Sequence, residues 1–241
     1  MRVSTQMYPQ SLLNQLNKLT AQQQTLQNQV STGLRVQEAS DDPAAARKMI
    51  QWQTDIASLD QFRKNIAAQQ DLANMNRGVI DSLNQISTRV NELAIKSDDT
   101  QSPETLSFFA EEVDSLIERA SEVVNTQFNG KYLLAGTAEQ SPAFTFERDE
   151  DGRITGAIYE GNGRIRSVES SPGNKVSTQW IGTNDGTSDE PGLIQDFDLE
   201  IDFFRDLIAF RDHLISGETS MIRDQDIESL QQLEDHLLHF N

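Results

Sequence analysis

The sequence lacks several features that would indicate an enzyme or a membrane protein. None of its 241 residues is cysteine, which excludes thiol catalysis and cysteine-ligated metal sites. No stretch approaches the run of about 20 apolar residues that spans a bilayer. The first 16 residues lack the basic patch and continuous apolar run of a secretory signal. We therefore expect no cleaved signal peptide and no membrane partner.

Positive charge is also scarce, and it is unevenly distributed. The chain has 38 acidic and 20 basic residues, a formal net charge of -18, which argues against nucleic acid as a partner. Residues 1–37 nevertheless contain no Asp or Glu, three basic residues and nine Gln. Residues 38–241 contain the other 17 basic residues and all 38 acidic ones, so their formal charge is -21. This asymmetry indicates that the first segment meets different surroundings from the rest.

The first segment carries a heptad pattern. Its apolar residues alternate at steps of four and three, with Gln23 filling one position; they are Leu12, Leu16, Leu19, Leu26 and Val30. Such a stripe is typical of a helix laid against another helix, and it stabilises an isolated helix poorly. Packing within its own domain is the ordinary alternative. Because amide-rich faces without carboxylates tolerate neighbouring copies, we predict that these five residues form an assembly interface.

A loop and a helix start follow in the stretch VSTGLRVQEASDDPAAARKM, residues 30–49. Glycine interrupts the heptad, and three residues with side-chain oxygens precede a proline, which suits a first helical position. We predict a connecting loop and helix cap that comprise Gly33, Arg35, Ser40, Asp41, Asp42 and Pro43. Residues 1–42 would then form a terminal assembly helix and its loop.

The pattern after Pro43 predicts a long helix that ends near Ser97. At 1.5 Å per residue this helix would be about 80 Å long. Its first apolar run comprises Met49, Trp52, Ile56, Leu59 and Ile66. A second run follows slightly out of phase, as in a stutter of a helical packing surface. Gly78 lies inside the helix at a cost of ~1 kcal/mol, which is too little to end it.

Further helices are predicted on both sides of a glycine-rich segment. One begins at Pro103 with Ser102 as its cap, and we expect Asn129-Gly130 to end it, which gives an antiparallel helical hairpin. Helical spacing returns from about Asp198, in a run that includes Leu199, and again from Ile227 after a turn in residues 216–226.

Ten of the 13 glycines lie in residues 130–192, among short alternating runs such as AFTFE and ITGAIYE. Turn sequences such as RDEDGR, GNG and SPGN separate these runs, so we predict an inserted antiparallel β unit. The predicted fold class is α+β: a long helical-bundle rod with a heptad-patterned terminal helix and a small β insertion. The predicted domains are 1–42, then 43–129 with 198–241 as the rod, and 130–197 as the β-rich domain.

Acidic residues are common throughout the chain, and no group of them forms a recognisable catalytic or metal-binding motif. His213, His236 and His239 have no HExxH-type partner, so we expect them to be exposed surface residues. Residues 147–158 have a faint likeness to a calcium loop, but Ile158 stands where that loop needs a bidentate Glu. DEDG is better explained as a hairpin turn. We expect no catalytic residue, no metal and no cofactor.

The stretch 30–49 resembles the loop between the terminal helix and the rod helix of the flagellin superfamily. Within that family, SDDPAAA (residues 40–46) is closer to the hook–filament junction proteins than to filament flagellins, which more often carry Asp-Asp-Ala-Ala-Gly. MRVSTQMYPQSL, QFRKNI and NTQFNGKYLLAGT are also similar to the junction proteins. The resemblance covers residues 1 to about 136 well and the β unit loosely.

This resemblance implies a structural subunit that is exported through the flagellar type III apparatus without signal cleavage and is found outside the cell. Its partners would be copies of itself in a ring, the adjacent hook-associated protein, flagellin and an export chaperone. In the family a C-terminal helix pairs with the N-terminal helix. That helix is missing after Asn241, so we expect a truncated chain or lost terminal pairing.

Three alternatives stay open at this point. The chain could be flagellin itself, although the Asp-Asp-Pro variant and YLLAGT argue against it. It could be a generic cytosolic coiled-coil adaptor, in which case it would not be found outside the cell. It could also be a calcium- or metal-dependent enzyme, which tight metal binding would reveal.

Overall fold

The computed structural model describes residues 7–36, 38–184, 186 and 190–240. Contacts between Cα atoms divide the chain into two compact units, Met1–Gln61 and Phe62–Asn241. In the described ranges, no helix is both long and apolar enough to cross a membrane.

The first unit consists of helix α1, Met7–Thr32, a loop, and the first part of helix α2, Pro43–Lys96. Gly33 ends α1 in a left-handed conformation with φ of +70°, and its N–H donates to the carbonyl of Gln29 at 2.8 Å. The predicted helix in the first segment, the start of α2 at Pro43 and its end near Ser97 are all confirmed. Gly78 does not interrupt α2.

In its described part the second unit adds helices α3 (Pro103–Val124), α4 (Phe203–Ser216), α5 (Thr219–Met221) and α6 (Ile227–Leu238). Ser102 caps α3 as predicted, because its Oγ accepts from the N–H of Thr105 at 3.2 Å. Arg89 of α2 donates to Glu112 of α3 at 2.7 Å. Both lie a few turns from the loop that joins these helices, as expected for an antiparallel hairpin.

Residues 216–226 were expected to form a turn, but most of them are helical. Gly217 ends α4 with φ of +73°, α5 starts two residues later, and a π-helical turn, Ile222–Asp226, leads directly into α6. The start of α4 also lies further along the chain than predicted. Asp202 caps α4 by accepting from the N–H of Arg205 at 3.1 Å, so Leu199 lies outside the helix.

Between α3 and α4 the described residues form nine short strands. They are β1 Gln127–Phe128, β2 Lys131–Tyr132, β3 Phe144–Arg148, β4 Ile154–Tyr159, β5 Val168–Ser171, β6 Asn174–Val176, β7 Ile181–Asn184, β8 Gly192–Asp196 and β9 Ile201–Asp202. The first six strands pair as antiparallel hairpins, and β8 lies between β7 and β9. The predicted DEDG hairpin is confirmed, since it joins β3 to β4 and Gly152 takes a φ of +86°.

One expectation for this segment is wrong, and the predicted antiparallel β unit is confirmed in the described residues except for one pair of strands. Asn129 and Gly130 do not end α3, which stops at Val124; with φ of +53° and +74° they make the tight turn of the β1–β2 hairpin. An Asn-Gly pair suits a hairpin as well as a helix end. In addition, β7 pairs with β8 in parallel. Alternation of side chains predicts a strand, but it does not encode the direction of the strand that pairs with it.

The second unit has one hydrophobic core to which helices and strands both contribute. From Val79 onward α2 packs with α3, α4 and α6, and Phe144, Ile154 and Leu193 add side chains from the strands. The rings of Phe144 and Phe204 lie 6.0 Å apart and connect β3 with α4. The domain boundaries predicted at residues 42, 129 and 197 stay predictions.

Candidate assembly interface

The five heptad residues of the first segment form one exposed stripe on α1. Because α1 is helical throughout, steps of four and three place them on a single face, here called the α1 seam. Their exposed fractions are 60% for Leu12, 52% for Leu16, 61% for Leu19, 61% for Leu26 and 84% for Val30. An apolar face at such exposure is a candidate interaction surface.

A second exposed stripe lies on the first part of α2 and is here called the α2 seam. Met49, Trp52, Ile56 and Leu59 follow heptad steps and are exposed by 45%, 61%, 65% and 63%. Sequence reasoning placed these residues on a helix but did not single them out as candidates for an interface. A heptad pattern looks the same whether the chain itself covers the stripe or leaves it open.

The connecting loop is held by hydrogen bonds to both helix ends. Oδ1 of Asp42 accepts from the N–H groups of Ala44 and Ala45 at 3.2 and 3.0 Å, so Asp42 caps α2. Oδ2 of Asp42 pairs with Nη2 of Arg35 at 3.0 Å. The side-chain amide of Gln29 in α1 donates to the carbonyl of Arg35 at 2.9 Å. Arg35 therefore links the last turn of α1 to the first turn of α2.

The other residues predicted for the loop and cap have different roles. Asp41 accepts from the backbone N–H of Glu38 at 3.1 Å, and the hydroxyl of Ser40 donates to the Glu38 carboxylate at 3.2 Å. Both stabilise the loop, so of the three candidate caps only Asp42 caps the helix. Pro43 is the first residue of α2, where its missing N–H would have no helical partner.

Hydrogen bonding keeps Asp42 ionised. The pKa of its carboxyl group lies below the ordinary value of 3.8, first because the N–H of Ala45 donates to it and second because Arg35 does. Beside this pair lies an open cleft of about 550 Å³. Leu34 and Val36 of the loop and Met49 and Trp52 of the α2 seam line much of it. The loop thus continues the apolar surface of the α2 seam.

Of the three histidines that were expected to be exposed, one is buried and one is half-buried. His236 is 7% exposed, and its Nε2 lies 2.9 Å from the carbonyl oxygen of Gly192. Leu233 lies one helical turn before it and Leu237 directly after it, and both are buried, so His236 shares their face. His213 is half-buried, with Nδ1 at 2.8 Å from Oδ2 of Asp226. His239 is exposed, as expected.

The Asp226–His213 pair is explained by packing. Burial raises the pKa of Asp226, and the hydrogen bond with His213 partly opposes that rise. In the described part of the chain, no three His, Asp or Glu side chains group as they would around a metal ion. The candidate site that remains is the pair of exposed seams.

Two comparisons of sequence relate the chain to known proteins. The family model of the bacterial flagellin N-terminal helical region matches residues 3–139. Phase 1 flagellin of Salmonella naestved and the flagellins of Salmonella dublin and Salmonella enteritidis are each 29% identical over 124 residues. These alignments cover 51% of this chain and 25% of each relative. The chain therefore spans about a quarter of the length of the curated relatives it matches.

Solved structures share the fold over about four fifths of the chain. A Vibrio parahaemolyticus protein assigned to the flagellar hook-associated proteins has a TM-score of 0.70 at 16% identity, covering 84% of this chain and 85% of its own. FlgL of Bacillus cereus has a TM-score of 0.61 at 17% identity, covering 80% and 86%. Flagellar hook associated protein-3 of Legionella pneumophila has a TM-score of 0.62 at 12% identity, covering 78% and 87%.

Proposed function

The chain belongs to the family of the bacterial flagellin N-terminal helical region, and on that premise we propose that it is a structural subunit joining the hook of the bacterial flagellum to its filament. The observation that carries this proposal is the exposed α1 seam, which lies in a segment without a single acidic residue.

An assembly role explains the exposure of the seam. Five large apolar side chains lose their contact with water only when another helix covers them. The absence of carboxylates in residues 1–37 avoids repulsion among identical neighbours, although the rest of the chain carries a formal charge of -21. Such a surface supplies no catalytic chemistry, and we propose no catalytic residue and no cofactor.

The junction, rather than the filament, is supported by the fold and by the loop. The structures with a similar fold include proteins named as hook-associated protein-3 and FlgL. The loop carries Asp42-Pro43, the variant that resembles the junction proteins. The proposed partners are copies of this chain in a ring, the adjacent hook-associated protein, flagellin and an export chaperone. The proposed location is the flagellum outside the cell, reached without signal cleavage.

Flagellin is the second candidate, because the curated relatives that match over 124 residues are named as flagellins. The two functions differ in the number of copies and in the phenotype of their loss. Exposed seams are also expected of a generic coiled-coil adaptor, but such a protein would not be part of the flagellum.

Deletion of the gene tests the proposal, with electron microscopy of the cells and an assay of flagellin in the medium. For a junction subunit we expect bare hooks and flagellin shed into the medium, both reversed by a plasmid copy of the gene. Hooks without filaments and without shed flagellin would identify the chain as the filament protein. Normal flagella would contradict any flagellar role.

A further inference from the structure

The loop between β8 and β9, residues 197–200, holds two large apolar side chains in solvent. Phe197 is 68% exposed and Leu199 is 57% exposed. Asp198 and Glu200 alternate with them in the sequence, so each apolar side chain has a carboxylate beside it. An exposed aromatic ring with negative charge around it is suited to an apolar cleft that is bordered by cations.

Hydrogen bonds fix the path of this loop. Oδ1 of Asp196, which is buried, accepts from the N–H groups of Asp198 and Leu199 at 3.0 and 3.2 Å. The side-chain amide of Asn184 donates to the Asp198 carboxylate at 3.0 Å. Glu200 takes a φ of +58°, a conformation that costs free energy for a residue with a Cβ. The exposed ring is therefore presented by an ordered loop, which loses little conformational entropy when a partner binds.

A cleft of the opposite charge lies between α2, the β1–β2 hairpin and β5, and is here called the basic cleft. Its volume is about 290 Å³, near the lower limit for ligand pockets, so it suits one or two side chains better than a cofactor. Its apolar lining comes from Leu72, Phe128, Tyr132, Leu133 and Val168.

The border of the basic cleft carries more positive than negative charge. Nζ of Lys131 lies 2.5 Å from one oxygen of the Glu139 carboxylate, and Nη1 of Arg166 lies 3.8 Å from the other. The carboxylate is 15% exposed, whereas the Lys131 and Arg166 side chains are exposed by 43% and 58%. Because two exposed cations share one carboxylate, a second carboxylate that approaches the cleft from outside is attracted to it.

A second copy of the chain is the partner that these charges favour. The chain has a net charge of -18, so its copies repel one another except where a carboxylate meets a cation. Within one copy the loop and the cleft are separated. Gln179 lines the basic cleft, whereas the next residue, Trp180, lines a different cleft together with Leu199. The loop and the basic cleft therefore lie on different sides of residues 179–180.

We propose that the β8–β9 loop of one copy docks in the basic cleft of the next copy. Phe197 enters the cleft against Phe128 and Tyr132. The Glu200 carboxylate lies beside Arg166. Each copy then offers its loop to one neighbour and its cleft to another, and such a heterologous contact forms a ring when it closes. The inference rests on the proposed function, for which it names surfaces that join the copies, and it uses neither of the exposed seams.

Photo-crosslinking of the full-length chain tests this contact. The variant Phe197→p-benzoylphenylalanine carries a photoreactive group and keeps an aromatic ring on the loop. The control is Phe108→p-benzoylphenylalanine, because Phe108 is 70% exposed but lies on α3. After ultraviolet irradiation we expect about tenfold more covalent dimer from the loop variant, since docking raises the local concentration of its target. Peptide mapping by mass spectrometry should place the crosslink in residues 127–133 or 166–168.

An exchange of charges distinguishes docking from a structural effect. In the photoreactive chain, Arg166→Glu and Glu200→Arg should each lower the dimer yield about fivefold, because like charges then meet across the contact. The chain with both changes should recover the yield, since the pair is restored in the opposite sense. The thermal unfolding transition of each variant, followed by circular dichroism, checks that it folds.

Three results would overturn the inference. Equal dimer yields from the Phe197 and Phe108 variants would mean that the loop does not dock. A crosslink that maps outside the basic cleft would assign the loop another partner surface. A double exchange that does not restore the yield would mean that Glu200 and Arg166 do not meet.

The junction role is tested separately by gene deletion. If any of these three results occurs while deletion still gives bare hooks and shed flagellin, the contact is wrong and the junction role stands. Normal flagella after deletion, together with the expected crosslink, would refute the junction role and leave the contact between copies in place.

Discussion

At the scale of single residues, Asp42 determines where α2 begins. Its carboxylate accepts the N–H groups of Ala44 and Ala45 and pairs with Arg35, which in turn accepts a hydrogen bond from Gln29 of α1. One side chain therefore sets both the first turn of α2 and the path of the loop. Ser40 and Asp41, equally plausible caps by residue type, contact Glu38 instead.

The cap formed by Asp42 should depend on pH in a defined direction. Because its folded-state pKa is lowered, its stabilising effect is complete above the ordinary value of 3.8 and is lost as the pH falls through the lowered value. Cα chemical shifts of residues 43–46, followed by NMR during an acid titration, should show the first turn fraying there. Asp42→Asn keeps a capping oxygen and should remove the pH dependence, whereas Asp42→Ala should fray at every pH.

Arg211 is a buried charged side chain of the second unit. It is only 2% exposed, and its guanidinium donates to Asp114 at 2.9 Å, to Asp212 at 2.8 Å and to the carbonyl of Ile154 at 2.7 Å. These bonds connect α4 with α3 and β4. Its charge is compensated, so it is tolerated inside the core only while all three partners stay in place.

Replacing Arg211 with Met should lower the free energy of unfolding by about 3 kcal/mol, because Asp114 and the Ile154 carbonyl lose their donor. Urea unfolding followed by circular dichroism measures this change. Arg211→Lys keeps the charge but not the planar fork, and we expect an intermediate loss. A loss below about 1 kcal/mol for the Met variant would show that solvent replaces the guanidinium at little cost.

At the scale of elements, the same heptad pattern leads to opposite burial. On α3 it faces the core, where Leu106, Val113 and Ala120 are buried. On α1 and the first part of α2 it faces solvent. Helical spacing depends on neighbours three and four residues apart, so it is visible in the sequence. The element that covers a stripe comes from elsewhere in the chain, or from another chain, and leaves no local trace.

Gly78 offers a test of helix propensity inside α2. It is exposed, and a Cβ added there would meet nothing within 4 Å. Gly78→Ala should raise the free energy of unfolding by about 1 kcal/mol, measured by urea unfolding. Gly136→Ala is the matched contrast, since φ there is +64° and the new Cβ would lie 2.0 Å from the carbonyl oxygen of Asn162. An equal change in the free energy of unfolding for Gly78→Ala and Gly136→Ala would contradict this explanation.

At the scale of the whole molecule, the buried core and the exposed seams belong to different units. The buried hydrophobic cluster lies in Phe62–Asn241, and among the side chains that the structure describes in α1, residues 10–32, none belongs to it. The exposed seams lie in Met1–Gln61. Damage to the α1 seam should therefore affect incorporation without affecting the core.

Leu16→Asp places a charge in the middle of the α1 seam. We expect this variant to keep the thermal unfolding transition of the second unit but to fail to enter flagella in cells deleted for the wild-type gene. Gln24→Asp adds the same charge to α1 off the seam and should be incorporated. Loss of the thermal transition in Leu16→Asp would instead mean that the first unit supports the core of the second.

The sequence by itself determined the features that depend on near neighbours. These are the long α2 helix, the Ser102 cap, the DEDG hairpin and the acid-free first segment. Only the tertiary structure decided that Asn129-Gly130 turns a hairpin, that β7 and β8 are parallel, that His236 is buried and that the α2 seam is open. Hydrogen bonds of caps and turns form within a few residues, whereas burial and strand direction depend on segments far apart in the chain.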